Sequence, residues 1–491
     1  MTYRYLSLFC GLGGLSLGFE LAGFTCVGAF DADEEACEDH EYLTGAPASP
    51  ADLADITPAQ LARLCTDRPD VVCTSPPCKS FSGCLPEAKS STPKYRALSS
   101  LAYRGIWLSL EAWDTPPPLL VMENVPRIQT RGAEWLESVI DLLESYGYAV
   151  RETTHDCGRI GHLAQSRRRY LLVARHREQT PDYLYVPPKY ELRGIGEVIG
   201  DLPVPAPDCD RGGPMHRLTR LSALNWARLA LIPAGGDWRD IPERVALSCE
   251  PRATAYGVEG WGDTAGTVVG SACHDNGGWT VADPRCTTPG GRREGSMGVT
   301  DWSEESTTVI GHGRVHNGPW QVADPRIQYE PRDGWMRVQH PGEPANTVIG
   351  DYRWVKGSNL ADSRPVTATH FVAQTIEGTP AIIGPQLDLD SRQSADPVPV
   401  IRAADGTWHR PMTTLELATL QGFPTKIDGE WLHLAGGSKS RWRQRIGNAV
   451  PPPAAEAIAR ECADVLEAAE DGGYRLRGEP VWVERRREVS A

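Results

Sequence analysis

The chain has 491 residues, of which 40% are hydrophobic and 23% charged, and its formal net charge is −14. This composition is that of a folded protein of two or three domains and argues against a largely disordered chain. The 13 cysteines have scattered spacings without a CxxC pair, so we expect neither a disulfide framework nor a metal site. No apolar run reaches the ~18 residues that span a bilayer, and the N-terminus lacks signal-peptide features, so we expect a cytoplasmic protein.

The first thirty residues have the order of a nucleotide-type cofactor site. An apolar strand over residues 5–9 runs into a Gly-rich turn at 10–14, a helix over 15–22 and a second strand over 25–30. Asp31 follows, and a carboxylate in that place can bind both ribose hydroxyls. The turn departs from GxGxxG, which makes a dinucleotide less favoured and leaves an adenosyl cofactor open.

Two further acids and a cysteine stand near the ends of predicted strands. Asp55 is a candidate for an adenine amino group, with a surface carboxylate as the alternative. A strand over 70–74 ends in Ser-Pro-Pro-Cys, where two prolines hold Cys78 at the sheet edge that binds ligands in open α/β folds. A lone cysteine is commonly an inert core residue, but the rigid turn and the adjacent Lys79, which favours the thiolate, indicate a nucleophile. Glu123 ends the next strand and is predicted to serve the same cleft as a general acid.

The arginines before the strand over residues 170–174 form a third candidate group. In an extended segment Arg167 and Arg169 point the same way, with Arg168 opposite. The spacing therefore predicts two guanidinium donors that serve one site.

The middle of the chain contains an internal repeat of about 40 residues. Thr-Val-Val/Ile-Gly recurs at 267–270, 308–311 and 347–350, and Ala-Asp-Pro-Arg at 282–285 and 323–326. Three copies are too few to close a propeller, so we predict tandem short β units in an irregular domain. Three arginines, Arg285, Arg326 and Arg364, are candidates for phosphate or base contacts, but we favour pairing with the neighbouring Asp to brace a turn.

Six short blocks stand in a fixed order along the sequence. They are Phe-Cys-Gly-Leu-Gly-Gly at 9–14, Ser-Pro-Pro-Cys at 75–78, Glu-Asn-Val at 123–125, Gln-Ser-Arg-Arg-Arg at 165–169, Thr-Leu-Glu to Gly-Phe-Pro at 414–424, and Gly-Asn-Ala-Val at 447–450. Together they resemble the DNA cytosine-5 methyltransferase family of bacterial and phage type, over slightly under half of the chain. Lys79 stands where the family usually has Gln, and Ala32 where many members have an aromatic residue.

The resemblance implies an α/β fold with a discontinuous, Rossmann-like doubly wound methyltransferase domain and an inserted, irregular β-rich target-recognition domain. We place the first part of the catalytic domain at 1–185, the recognition domain at 186–409, the returning part at 410–475 and a basic tail at 476–491. Residues 83–101, after the cysteine, are predicted to form a mobile loop that closes on DNA.

The resemblance also implies an activity, a cofactor and a set of site residues. The enzyme would transfer a methyl group from S-adenosylmethionine to C5 of a cytosine flipped out of duplex DNA. Cys78 would attack C6, Glu123 would bind N3, and Arg167, with Arg169 as a second candidate, would hold O2 and the neighbouring backbone. The implied cofactor-binding residues are Phe9, Gly11, Gly13, Gly14, Asp31, Asp55, Pro76, Asn448 and Val450.

The expected partner is double-stranded DNA, bound by a monomer, in restriction-modification or in phage or orphan methylation, with any cognate restriction endonuclease acting separately. One alternative is a tRNA cytosine-5 methyltransferase with the same core, although the insert of over 200 residues favours a duplex reader. A second is a catalytically idle DNA-binding protein of this fold. A Rossmann oxidoreductase leaves the Pro-Pro-Cys and Glu-Asn-Val blocks unexplained.

Overall fold

The computed structural model describes residues 2–77, 93–203 and 408–471, with shorter stretches between 205 and 402. The side chains of residues 93–98 are not part of this description. Two compact units make up the chain, the first from residues 1–200, 264–272 and 414–491, and the second from residues 201–263 and 273–413. The segment 264–272, which lies in the predicted recognition domain, therefore belongs to the first unit.

A seven-stranded sheet organises the first unit, in the order β3-β2-β1-β4-β5-β7-β6. The five strands from β3 to β5 run parallel, whereas β7 pairs antiparallel with both β5 and β6. The strands are β1 Arg4–Leu8, β2 Thr25–Asp31, β3 Ser49–Pro50, β4 Val71–Thr74, β5 Leu119–Asn124, β6 Tyr148–Asp156 and β7 Arg168–His176. This is the predicted α/β doubly wound architecture.

Helices cover both faces of this sheet. They are α1 Gly14–Leu21, α2 Glu34–Thr44, α3 Pro58–Leu64, α4 Pro93–Glu111, α5 Ile128–Arg131, α6 Ala133–Ser145, α7 Cys157–Ile160, α8 Ile195–Ile199, α9 Thr414–Leu420, α10 Lys439–Asn448 and α11 Pro452–Asp471. Capping residues mark the start of two of these helices. The Asp33 side chain accepts from the Glu35 backbone amide at the start of α2, and Thr57 and Gln60 form a capping box on α3.

The parallel strands are apolar on both sides because each side packs on a helical layer. Along β5, Leu120 and Met122 belong to one buried cluster, and Leu119 and Val121 belong to the opposite one. The C-terminal helix α11 packs on the second cluster, where a Cβ at Gly18 of α1 would lie 2.3 Å from the Ala455 Cβ. Residues from the end of the chain thus complete the core begun at its start.

Residues 93–101 of the predicted loop at 83–101 are helical and belong to α4. Helix α4 begins at Pro93. Proline suits the first helical position because a backbone N–H there would have no intrahelical acceptor, so no hydrogen bond is lost. Residues 78–92, with Cys78 and Lys79, lie outside the described residues, as does the predicted basic tail.

The second unit has a six-stranded sheet in the order β15-β14-β16-β17-β9-β8 and two further strand pairs, β10-β11 and β12-β13. Its strands are β8 Val258–Glu259, β9 Thr280–Ala282, β10 Val299–Asp301, β11 Gln321–Ala323, β12 Val338–Gln339, β13 Asn359–Leu360, β14 Val372–Ile376, β15 Thr379–Ile383, β16 Ile401–Arg402 and β17 Trp408–Pro411. A small hairpin in the first unit, β18 Lys426–Ile427 with β19 Glu430–Trp431, completes the described strands.

A buried charge cluster braces this second sheet. Asp283 is bonded to Arg410, whose side chain is fully buried, at 2.9 Å, and both oxygens of Asp283 accept from Arg285. The Arg285 guanidinium also lies over the Trp261 ring, 4.8 Å from its centroid. Arg285 therefore braces a turn through its neighbouring Asp, as predicted; Arg326 and Arg364 lie outside the described residues.

No helix in the described part of the chain is long and apolar enough to cross a lipid bilayer.

Candidate active site

A cleft of about 890 Å³ opens in the first unit at the carboxyl ends of the parallel strands. Ligands bind at this edge of an open α/β sheet, because the loops that leave adjacent strands lead to opposite helical layers and leave a crevice between them. Strand β1 contributes the Gly-rich turn, β2 contributes Asp31, β4 is followed by Ser75–Pro77, and β5 contributes Glu123. Further parts of the wall come from 51–53, Leu101, 125–127, Arg169, 267–270 and 440–450.

The Gly-rich turn has an unusual backbone. Three of its residues have positive φ: Phe9 at 54°, Gly11 at 50° and Gly13 at 89°. A Cβ at Gly13 would also lie 3.0 Å from the His40 ring. A positive φ at a bulky residue costs roughly 1–3 kcal/mol and is retained where a function requires it. Here it accompanies a Phe9 ring that lines the cleft.

Asp31 ties the turn to the end of β2. One of its carboxylate oxygens accepts from the Gly11 amide at 2.9 Å and the other from the Asp33 amide at 3.0 Å. Burial raises the pKa of Asp31, and these amide hydrogen bonds act in the opposite direction. Each oxygen keeps further acceptor capacity, so a ligand hydroxyl in the cleft can still donate to this carboxylate.

Two glycines allow the C-terminal segment to form part of the wall. A Cβ at Gly14 would lie 2.1 Å from the Val450 carbonyl oxygen, and one at Gly447 would lie 2.1 Å from the Gly270 amide nitrogen. A larger residue at Gly14 or Gly447 would force these backbone segments apart. Gly14, Asn448 and Val450 all line the cleft as a result.

The Glu123 carboxylate is held from two sides at the end of β5. Its Oε2 accepts from the Ser75 hydroxyl at 3.1 Å, and its Oε1 lies 3.0 Å from the Arg169 Nε. Only 6% of Glu123 is exposed. The Glu123 carboxylate is thus fixed at the end of β5 with a cation beside it. In this position it can bind a polar ring atom of a ligand in the cleft.

The Ser-Pro-Pro turn is fixed against the same strand. The Asn124 side-chain nitrogen donates to the Pro76 carbonyl at 3.3 Å, and the Asn124 side-chain oxygen accepts from the Val125 backbone amide at 2.9 Å. Asn124 is almost fully buried, so these bonds compete little with water. Pro76 and Pro77 therefore lie in the cleft wall immediately before Cys78.

The expectation that Arg167 and Arg169 serve one site needs correction. Arg169 lines the cleft, but Arg167 is fully buried, and its guanidinium donates to the carbonyls of Val268, Gly447 and Ala449 at 2.8–3.0 Å. Strand β7 begins only at Arg168, so strand alternation does not govern the direction of Arg167. Arg167 joins the segments that form the cleft wall.

Asp55 also needs correction. It is exposed and is not among the residues that line the cleft, whereas Asp52 and Leu53 are. The chain leaves β3 at Pro50 and reaches the cleft at once, so the acid nearer to the strand end is the one in the wall. Of these two acids three residues apart, the structure places Asp52 in the cleft wall.

A family model described as C-5 cytosine-specific DNA methylase matches residues 3–208 and 346–464, well over half of the chain. The chain belongs to the C-5 cytosine-specific DNA methylase family. This confirms the resemblance seen in the sequence blocks and the predicted class of enzyme, a DNA (cytosine-5-)-methyltransferase.

Curated relatives of this methylase family carry similar names. Type II methylase M.HgiDII of Herpetosiphon aurantiacus is 26% identical over 297 residues, which cover 58% of this chain and 80% of that protein. Type II methyltransferase M.HindV of Haemophilus influenzae is 31% identical over 172 residues, which cover 35% of this chain and 53% of that protein. The chain is thus similar to methyltransferases of the type found in restriction-modification systems.

Solved structures support the methyltransferase fold. A DNA modification methyltransferase encoded in an Escherichia coli prophage matches with a TM-score of 0.52 and 15% identity, covering 95% of this chain and 100% of that one. The Entamoeba histolytica methyltransferase EhMeth matches with a TM-score of 0.50 and 14% identity, covering 94% and 98%. At these identities the likeness shows the fold, and it confirms the predicted α/β methyltransferase class.

The cleft brings together most of the predicted site residues in this methylase. Those in its wall are Phe9, Gly11, Gly14, Asp31, Pro76, Glu123, Arg169, Asn448 and Val450. Gly13 shapes the turn without lining the cleft, and Cys78 lies outside the described residues. Sequence reasoning missed Ser75, Asp52 and Arg441; Ser75 stands inside the Ser-Pro-Pro-Cys block, which could have pointed to it.

Arg441 belongs to an ion-pair network that links α10 to α2 beside the cleft. Arg441 pairs with Asp33 at 3.1 Å and with Glu35 at 3.2 Å, and Arg445 pairs with Glu35 and Asp39, each at 2.5 Å. Arg441 and Arg445 also line the cleft. The network fixes the C-terminal wall against the helix that follows Asp31.

His40, packed beneath the Gly-rich turn, should make the fold sensitive to acid. It is fully buried, its Nδ1 lies 3.2 Å from the Ala46 carbonyl oxygen, and burial lowers its pKa to about 4. Its contribution to stability is complete above the unfolded pKa of about 6.5 and is lost as the pH falls towards 4. We expect the free energy of unfolding to be about 2 kcal/mol lower at pH 5 than at pH 7 from this residue.

Urea unfolding at both pH values measures this effect, with His40→Gln as the comparison because glutamine does not titrate. The acid-induced loss of stability should be smaller in His40→Gln than in the parent by that amount. Equal losses in the two proteins would contradict the assignment, since other titrating groups are common to both.

Proposed function

We propose that the protein methylates C5 of a cytosine in a specific duplex DNA sequence, with S-adenosylmethionine as methyl donor and a covalent bond from Cys78 to C6. The observation that carries this proposal is the cleft, in which Glu123 and Arg169 face the Gly-rich turn and Asp31. The role would be methylation in a restriction-modification system or by a phage or orphan enzyme in the cytoplasm. We propose a monomer, and any cognate endonuclease would act separately.

The cleft fits an adenosyl sulfonium cofactor in size and in chemistry. Its volume of about 890 Å³ is in the range of small-molecule sites, and its walls combine apolar residues such as Phe9 and Leu53 with charged ones such as Asp31 and Glu123. Asp31 would hold the ribose hydroxyls, Phe9 and Leu53 the adenine, and Asn448 to Val450 the methionine end. When bound, S-adenosylmethionine supplies an electrophilic methyl group.

The protein's own residues would prepare the cytosine. C5 is a poor nucleophile until C6 carries a covalent partner, so the Cys78 thiolate would attack C6. Glu123, fixed by Ser75 and Arg169, would protonate or hydrogen-bond N3 and draw electrons from the ring. Arg169 would balance the carboxylate and donate to the neighbouring O2. After methylation, loss of the C5 proton and expulsion of the thiolate would restore the aromatic ring.

Transfer of tritium from labelled S-adenosylmethionine tests this function. The expected result is label in duplex DNA that contains the target sequence and none in transfer RNA. Label in transfer RNA alone would instead establish the alternative RNA methyltransferase. If neither nucleic acid is labelled but the protein binds duplex DNA, the idle DNA-binding alternative would hold.

The corrected cofactor wall gives a matched pair of variants. Asp52→Ala should weaken S-adenosylmethionine binding about tenfold, since a hydrogen bond to a charged group contributes roughly 1.5–3 kcal/mol. Asp55→Ala should leave the dissociation constant unchanged because Asp55 does not line the cleft. Isothermal titration calorimetry with both variants measures the difference, and the reverse order of effects would show that Asp55 reaches the adenine.

A further inference from the structure

Two buried thiols meet at the end of β2, and the mechanism proposed above uses neither of them. Cys10 belongs to the Gly-rich turn that follows β1, and Cys37 lies in the first turn of α2. The two thiols are hydrogen-bonded to each other, and neither cysteine takes part in a disulfide. We call Cys10 and Cys37 the cysteine pair.

Contacts to two consecutive carbonyl groups hold the cysteine pair together. The Cys10 amide donates to the Phe30 carbonyl at 3.0 Å, and the Cys37 thiol donates to the Asp31 carbonyl at 3.7 Å. The Cys37 amide also donates to the Asp33 carbonyl at 3.1 Å. Because Phe30 and Asp31 are neighbours in β2, the two sulfurs are fixed side by side, and a bond between them requires only a local shift.

The cofactor cleft gives access to the cysteine pair. Cys10 lines the cleft and is 8% exposed, and Ala36, the residue before Cys37, lines it too. Among the cysteines that the structure describes, Cys10 alone reaches the cleft. A small oxidant such as hydrogen peroxide can therefore approach the pair through the open cleft, and a bound cofactor would cover it.

Cys37 is the more reactive member of the cysteine pair. The hydrogen bond from Cys10 lowers the pKa of Cys37, because it stabilises the thiolate. The same hydrogen bond, together with burial, raises the pKa of Cys10. Since the thiolate is the form that reacts with peroxide, Cys37 is the attacking sulfur and Cys10 the resolving one.

We propose that hydrogen peroxide joins Cys10 to Cys37 in a disulfide that displaces the Gly-rich turn and weakens binding of S-adenosylmethionine. The inference rests on the function proposed above, because it requires that this cofactor occupies the cleft. Phe9 and Gly11, on either side of Cys10, line the cleft and have positive φ. A covalent bond draws two sulfurs closer than a hydrogen bond does, so the turn must move towards α2 with both residues.

Hydrogen peroxide is the complete oxidant for this reaction. The Cys37 thiolate attacks one peroxide oxygen, which forms a sulfenic acid and breaks the O–O bond to release hydroxide. That hydroxide takes the proton of the Cys10 thiol, and the Cys10 thiolate attacks the Cys37 sulfur and expels a second hydroxide, which solvent protonates. In total, two thiols are oxidised to one disulfide and one peroxide is reduced to two waters.

Isothermal titration calorimetry with S-adenosylmethionine tests the effect on the cofactor site. All proteins carry Cys78→Ala, so that oxidation of the proposed nucleophile does not contribute. Peroxide should raise the dissociation constant about tenfold or more, since small misplacements of binding groups have effects of at least that size. Dithiothreitol should reverse the rise, and S-adenosylmethionine added before the peroxide should slow formation of the disulfide.

Mass spectrometry of the peroxide-treated protein identifies the linkage. A protease that cleaves after glutamate separates the three cysteines of this region, because Glu20 lies between Cys10 and Cys26 and Glu34 lies between Cys26 and Cys37. The cross-link should join the peptide that contains Cys10 to the peptide that contains Cys37.

Two serine variants provide the matched comparison. Cys37→Ser keeps a hydroxyl that can donate to the Asp31 carbonyl but cannot form the disulfide, so its affinity for S-adenosylmethionine should not respond to peroxide. Cys26→Ser is the control, because Cys26 lies in β2 but does not line the cleft. Its affinity should fall on oxidation as in the parent.

Absence of the cross-link between Cys10 and Cys37, or a cross-link that leaves the dissociation constant unchanged, would overturn the proposal and leave the enzymatic function standing. An equal effect of peroxide on Cys37→Ser would also overturn it. If the untreated protein with Cys78 intact neither binds S-adenosylmethionine nor methylates DNA, the proposed function fails instead.

Discussion

Cys78→Ala is expected to lower the rate of methyl transfer by about 10⁴-fold or more, the scale at which an enzyme loses its nucleophile. Without a thiolate on C6, the cytosine ring keeps its aromatic electrons and C5 does not attack the methyl donor. Pro77, the residue before Cys78, lies in the cleft wall with Glu123. Tritium transfer to duplex DNA measures the rate, and trapping on DNA that contains 5-fluorocytosine measures the covalent bond.

The matched control for this variant is Cys73→Ala. Cys73 lies in β4 on the same strand-to-turn segment, but it is fully buried in the core and does not line the cleft. The Cys73→Ala protein should be less stable, but it should still be trapped on 5-fluorocytosine DNA. Retention of trapping by Cys78→Ala, or its loss in Cys73→Ala, would show that the nucleophile has been misassigned.

Strands β1, β2, β4 and β5 of the central sheet could be predicted from the sequence because they are short apolar runs with glycine or proline near their ends, whereas β6 was not predicted. The strand predicted at 25–30 is Thr25–Asp31, and the strand predicted to end at Glu123 is Leu119–Asn124. Because these strands are buried on both faces, they are continuous apolar runs and lack the alternation of apolar and polar residues that marks a strand with one exposed face. The same boundaries placed Asp31 and Glu123 at the sheet edge, and both line the cleft.

The error at Arg167 has a clear physical origin, because the surroundings of this side chain come from distant parts of the chain. The carbonyls that bind Arg167 belong to Val268, Gly447 and Ala449, which are 101 to 282 residues away. No local pattern contains that information. The choice between Asp52 and Asp55 is local instead, since it depends on where the chain turns after a strand of two residues.

Arg167 and Arg169 give opposite predictions, although they are two residues apart. Arg167→Met would remove the donor of the Val268 and Gly447 carbonyls and leave the Ala449 carbonyl only its bond from Gln421, and we expect a loss of about 3–5 kcal/mol in the free energy of unfolding. Arg169→Met should lower that free energy by less than Arg167→Met does, because it breaks one ion pair and not three hydrogen bonds, but it should lower kcat roughly 10²–10³-fold, because it removes the cation beside Glu123 in the cleft.

Urea unfolding and tritium-transfer kinetics on both variants separate the two roles. Arg167→Lys sharpens the test, because one ammonium group cannot replace a planar fork that reaches carbonyls of two chain segments. A stable Arg167→Met protein with greatly reduced kcat would return this residue to the cytosine site. An unstable one places it in the wall, where it holds residues 267–270 against residues 447–450, which would close the methionine end of the cofactor site.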